Sequence, residues 1–165
     1  MRKIVEDFIS KYNEYVNITS GNVLTLNRDE VVKYLFSVDE LMNKYLPTRY
    51  DDCAFLSKKE YNVDGDHFMF AENRSSNFVY VATEGYSEIF CTEFDGTFLW
   101  YCADSSDLFV SLLTVFISMQ TKRILSGNTD LSDDEYFSYY LKCKVISGDF
   151  EDNDEFLKFM CCVIE

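Results

Sequence analysis

Between Phe68 and Cys102 the chain repeats one pattern, short runs of strand-favouring side chains joined by polar links. Phe68, Phe70 and Glu72 alternate with Met69 and Ala71, and Phe78-Val79-Tyr80-Val81 is dense in β-branched and aromatic residues, a composition that suits a pleated, half-buried surface. The link Asn73-Arg74-Ser75-Ser76-Asn77 is polar and as short as an antiparallel hairpin requires. Ile89 to Glu93 and Phe98 to Cys102 supply two further runs, divided by the tight-turn dipeptide Asp95-Gly96. The middle of the chain is therefore expected to form an antiparallel β-meander of about four to six strands.

Helical patterns flank this meander. Ile4, Phe8, Ile9, Tyr12, Tyr15 and Val16 recur at spacings of three and four, with a stop near Ser20-Gly21. A second helix is expected to open after Asn27, with Glu30 completing its cap, to bury Val31, Leu35, Val38, Leu41, Met42 and Tyr45, and to end at Pro47. Asp104-Ser105-Ser106-Asp107 introduces Leu108, Val110, Leu112, Leu113, Phe116 and Ile117, apolar on nearly every side, which predicts a buried central helix ending by Ser126-Gly127. Ser132 with Glu135 forms a capping box before Tyr136, Phe137, Tyr140 and Leu141, read as an apolar face. Phe156 to Ile164 reads as a last helix. The fold class is α+β, one domain over residues 1–165 with a helical, acidic C-terminal region over 126–165 packed on it.

A chain of 165 residues can bury roughly two-thirds of its unfolded surface, and with fifteen Phe and twelve Tyr it has enough apolar area to offset the entropy of ordering. Its formal net charge of −14 repels nucleic acid and anionic lipid, so neither is an expected partner. Between Ser126 and Glu155 nine acids stand against Lys142 and Lys144, a local balance of −7, half of the whole charge.

Cys53, Cys91, Cys102, Cys143, Cys161 and Cys162 contain no C-x-x-C spacing, so they are expected to be reduced thiols of a cytoplasmic protein, Cys161 and Cys162 pointing to different sides. The opening residues turn acidic before any apolar stretch of signal-peptide length develops. The run from Leu108 to Met119, about a dozen residues, is shorter than the roughly 20 needed to cross a bilayer.

Catalytic constellations are hard to build from this sequence. Every histidine-dependent triad would have to pass through His67, the only histidine, and Asp64-Gly65-Asp66-His67 reads as a turn feeding a strand. The calcium-loop ligands beyond Asp64 and Asp66 are missing, and the six glycines never take a phosphate-cradling spacing. No catalytic, cofactor-binding or metal-ligating residue is assigned, and no cofactor is expected. Trp100, with Tyr101 beside it, is expected to pack in the core under the central helix rather than anchor an interface.

The order of features resembles the SUKH superfamily. The matching points, within residues 41–120, are the helix ending in Leu46-Pro47, the strand Phe68-Met69-Phe70-Ala71-Glu72 closing on a glutamate, a polar turn, the next strand opening on the aromatic Phe78, and an Asp-rich cap before Leu108-Phe109. The chain lacks the family's Asn-Gly turn soon after Leu-Pro and adds the acidic region beyond Ser126. That superfamily includes bacterial immunity proteins that neutralise secreted toxins and is related to a fungal regulator of cell-wall synthesis. The resemblance implies a sheet flanked by helices, a protein-binding role and no catalytic residues.

Charge points the same way, because toxins that attack nucleic acid are commonly basic and complementary charge speeds and selects association. The expected partner is a protein, a basic toxin domain, met by Asp130, Asp133, Asp134, Glu135, Asp149, Glu151 and Asp152 together with exposed tyrosines Tyr136 and Tyr139. Two other functions fit the residues: a scaffold or regulator binding through an aromatic groove, and an enzyme using carboxylates with a recruited metal.

Overall fold

The computed structural model describes residues 2–19, 25–26, 34–46, 49–50, 52–56, 62–127 and 130–163. The chain is α+β, a central antiparallel meander flanked by helices. Helix α1 (Lys3–Thr19) turns Val5, Phe8, Tyr12 and Val16 inward; of the expected stripe Phe8, Tyr12 and Val16 are buried, Ile4, Ile9 and Tyr15 are partly buried, and Val5 joins them. Strand β1 (Thr25–Leu26) pairs antiparallel with β2 (Tyr45–Leu46), and between them lies α2 (Ser37–Lys44).

The second helix differs from expectation. Leu35 precedes α2 and is exposed, and Tyr45 leaves the helix to pair with Leu26. Asn27, Glu30, Val31 and Pro47 lie outside the described residues. Val38 and Leu41 are fully buried as expected, and the start of α2 is fixed from across the fold. The Ser106 hydroxyl accepts the Val38 N–H at 2.8 Å, while the Ser37 hydroxyl donates to Asp107 at 2.7 Å. Capping here is tertiary, which local spacing could not reveal.

The main sheet has a continuous body of β4 (Cys53–Phe55), β6 (His67–Asn73), β7 (Phe78–Thr83), β8 (Ile89–Thr92) and β9 (Phe98–Ala103), all antiparallel. Short β3 (Arg49–Tyr50) extends it beyond β4, and β5 (Asn62–Asp64) shares with β4 one edge of β6. Gly65, at φ +60°, sits in the two-residue turn joining β5 to β6, where a left-handed residue is needed.

A bulge separates Met69 from Ala71 in β6. An extra residue reverses the alternation of a strand. Phe70 and Ala71 are both buried, and from there Asn73, not Glu72, faces the interior.

Helix α3 (Ser106–Leu125) is the central helix. The Ser105 hydroxyl accepts the Leu108 N–H at 3.1 Å, and Phe109, Val110, Leu112, Leu113, Phe116, Ile117 and Met119 are fully buried. Its 20 residues run between the expected cap and the expected stop, beyond the dozen of the most apolar run, and by length and composition alone it could cross a membrane. Here its apolar side chains fill the core between α1, α2 and the sheet.

Helix α4 (Asp133–Ser147) is capped by Ser132, whose hydroxyl accepts the Glu135 N–H at 3.2 Å, and α5 (Asp154–Met160) follows. The last helix stops short of Ile164 because Cys162 takes φ +55° and breaks the spiral. Both α3 and α5 cover one face of the sheet: Phe109 packs on Phe70 and Tyr80, and Phe156 on Tyr80. Trp100 packs under α5, stacked on Phe159 at 4.7 Å, rather than under α3. Asn153, entering α5, donates to the Cys102 carbonyl at 3.1 Å. One end of edge strand β9 is thereby covered.

Candidate functional site

The acidic C-terminal region becomes two clusters separated by the length of a helix. Asp130, Asp133, Asp134 and Glu135 stand at the start of α4, and Asp149, Glu151 and Asp152 follow its end. Fifteen residues of helix span about 22 Å. The seven acids therefore do not make one continuous patch.

Two of the seven are already neutralised. Asp130 pairs with Arg123 at 3.5 Å and accepts a hydrogen bond from the Tyr136 hydroxyl, and Glu135 pairs with Lys122 at 3.3 Å. Asp154, also within the acidic stretch, accepts from Tyr140 and pairs with Lys144 and Lys158 at 3.2 and 3.0 Å. These donors, Tyr140 first, hold its carboxyl at about 2. Among the described residues Asp133, Asp134, Asp149, Glu151 and Asp152 form no ion pair, and they carry the charge open to a partner.

The tyrosines need correction. Tyr136 and Tyr139 are buried, not exposed, because with Cys143 and Ser147 they form the face of α4 turned inward. Of the four residues expected on an apolar face, Tyr136 is buried and Tyr140 partly buried, but Phe137 is 46% exposed and Leu141 47%, and Val145, one further turn along, is 81% exposed. Spacings of four place these three in one row. The helix is apolar on both sides, so periodicity alone could not tell which side the core would take.

A second surface was not anticipated. Across four strands, Met69 pairs with Val81, Val81 with Phe90 and Phe90 with Tyr101, and directly paired residues share a face. This row lies opposite the helices. Beside it runs Glu72, Val79, Thr92 and Phe98. Phe98 and Tyr101 are exposed, with rings 4.8 Å apart, and Phe94, in the turn after β8, is 65% exposed. A groove of about 210 Å³ opens here, lined by Met69, Val79, Val81, Phe90 and Phe94 among others. The hint in the sequence was that alternate residues of β7 and β8 on both faces are apolar, where a sheet with one wet face alternates with polar residues.

His67 stands at the turn feeding β6, exposed, its ring edge-on to Phe90 at 5.4 Å. Among the described residues no three His, Cys, Asp or Glu side chains converge as a metal site. Five of the six cysteines are buried and all are free; Cys162 alone is exposed, next to buried Cys161. Burial raises the thiols of Cys53, Cys102 and Cys162 above their ordinary value, which disfavours the nucleophilic thiolate.

Compared with protein families, curated proteins and solved structures, the chain matches none.

Proposed function

We propose that this chain is a non-enzymatic protein-binding domain that acts in the cytoplasm and neutralises a basic protein, as an immunity protein does for a toxin. The observation that carries the reading is the outer row of α4, with Phe137, Leu141 and Val145 open to solvent between Asp133-Asp134 at one end and Asp149, Glu151 and Asp152 at the other. An apolar centre supplies affinity through desolvation and a charged rim supplies orientation and rate. Basic groups about 22 Å apart with an apolar ridge between them would complement it.

The toxin-neutralising role rests on the SUKH resemblance and on the net charge of −14, which suits a partner that itself binds nucleic acid. If a toxin domain is encoded beside this gene, growth of cells producing that domain is the test. Co-production of the chain should restore growth, and Leu141→Asp combined with Asp133→Lys and Asp134→Lys should abolish the rescue. Rescue that survives this triple variant, or turnover of a small substrate lost on changing one carboxylate, rejects the reading.

A second reading, an intracellular scaffold, is favoured by the outer face of the sheet. There binding would depend on aromatic side chains and not on α4.

A further inference from the structure

The strands that carry the outer face and the turns between them have a charge asymmetry as well as an apolar character. Over residues 62–103, the span of β5 to β9, Asp64, Asp66, Glu72, Glu84, Glu88, Glu93 and Asp95 face a single base, Arg74. Arg74 is itself engaged, 3.7 Å from Glu72. Within this span the exposed aromatic surface thus has one Arg or Lys side chain against seven acids, and that one is already paired. A second copy of the chain would bring the same acids against these and be repelled.

The groove has the wrong volume for most ligands and a suitable one for a side chain. At about 210 Å³ it is smaller than the roughly 300–1,000 Å³ typical of small-molecule pockets. Phe90, Phe94, Met69 and Glu93 are among the residues that line it. Phe90 continues into an aromatic array through Phe98 at 6.0 Å and Tyr101 at 6.5 Å. Ring faces attract cations, and a planar guanidinium stacks on them better than a strongly hydrated ammonium.

The geometry points to a docking surface for an arginine-bearing segment of a basic protein, one guanidinium seated in the groove beside Glu93 and flanking residues laid over Phe98 and Tyr101. The inference rests on the protein-binding reading but not on α4. The two surfaces lie on opposite sides of the sheet's covered face, so each can fail without the other. It also accounts for an aromatic row left open where solubility alone would favour polar side chains.

Titration of the isotope-labelled full chain with a tetra-arginine peptide, followed by NMR, tests the assignment, with tetra-lysine as the matched charge. Expected are shifts concentrated at Val81, Phe90, Glu93 and Phe94, and binding about fivefold tighter for arginine than for lysine. Phe94→Ser, at an exposed turn position, should keep the fold and weaken tetra-arginine about fivefold, and Glu93→Lys should do the same. Asp133→Lys with Asp134→Lys should change it less than twofold. Equal affinities with shifts scattered over the acidic surface mean general electrostatics only and overturn the proposal. So do shifts centred on α4, an unaffected Phe94→Ser variant, or sedimentation showing that two copies close the face against each other.

Discussion

Two adjacent rows of the same sheet have had opposite fates. Ala71, Tyr80, Cys91 and Trp100 run across four strands on one face, and Met69, Val81, Phe90 and Tyr101 run beside them on the other. Both rows are apolar and aromatic. The first is sealed by Phe109 of α3 and by Phe156 and Phe159 of α5, whereas the second meets solvent. Residue chemistry did not decide which face became core. Placement of the helices did, and it left the uncovered row free for a partner.

The sharpest way to break this comparison is to truncate one ring from each row. Tyr80 is fully buried, packs against Phe78 and Phe109 with ring centroids 5.3 and 5.2 Å apart, and donates to the Asp52 carbonyl at 2.9 Å. Tyr80→Ala should cost about 3–5 kcal/mol in denaturant unfolding. A loss under about 1 kcal/mol would mean that the inner row is not the core.

Next in size is the polar tie between α4 and α5. With its carboxyl held at about 2 against an ordinary 3.8, Asp154 binds fewer protons folded than unfolded. Its contribution is therefore complete above about pH 4 and lost as pH falls from about 4 to 2. After allowance for its partial exposure, Asp154→Asn should cost about 1–2 kcal/mol at pH 7. The variant should also show a shallower loss of stability through that acid range, read from urea midpoints at each pH.

A smaller effect is expected at the start of the central helix. Ser105→Ala removes the acceptor of the Leu108 N–H and should cost about 1 kcal/mol in thermal or urea unfolding. Smallest of all should be Phe98→Ser, beside the outer row on the same face, within about 0.5 kcal/mol of the parent in unfolding. A cost comparable to Tyr80→Ala would erase the distinction between the rows. A stable variant that no longer binds would sharpen it.

Much of this was open to reading from residues alone. The strand runs and their turns, the Ser105 cap, the Ser132 cap and the apolar character of α3 are local features, since a hydroxyl three residues before an amide or an alternation of period two needs no distant partner. The candidate surfaces were less legible. Tyr136 and Phe137 are neighbours of similar chemistry, and only the packing of α4 on α3 and α5 turns one inward and the other out.

The sequence by itself determined the antiparallel meander, the central helix and the strongly negative charge, because each follows from short-range pattern or from composition. Only the tertiary structure decided which face of the sheet and which side of α4 would be covered, where the bulge at Phe70 reverses the strand, and which acids stay unpaired. Burial and ion pairing depend on elements far apart in the chain, and a helix or strand apolar on both sides has no preference of its own.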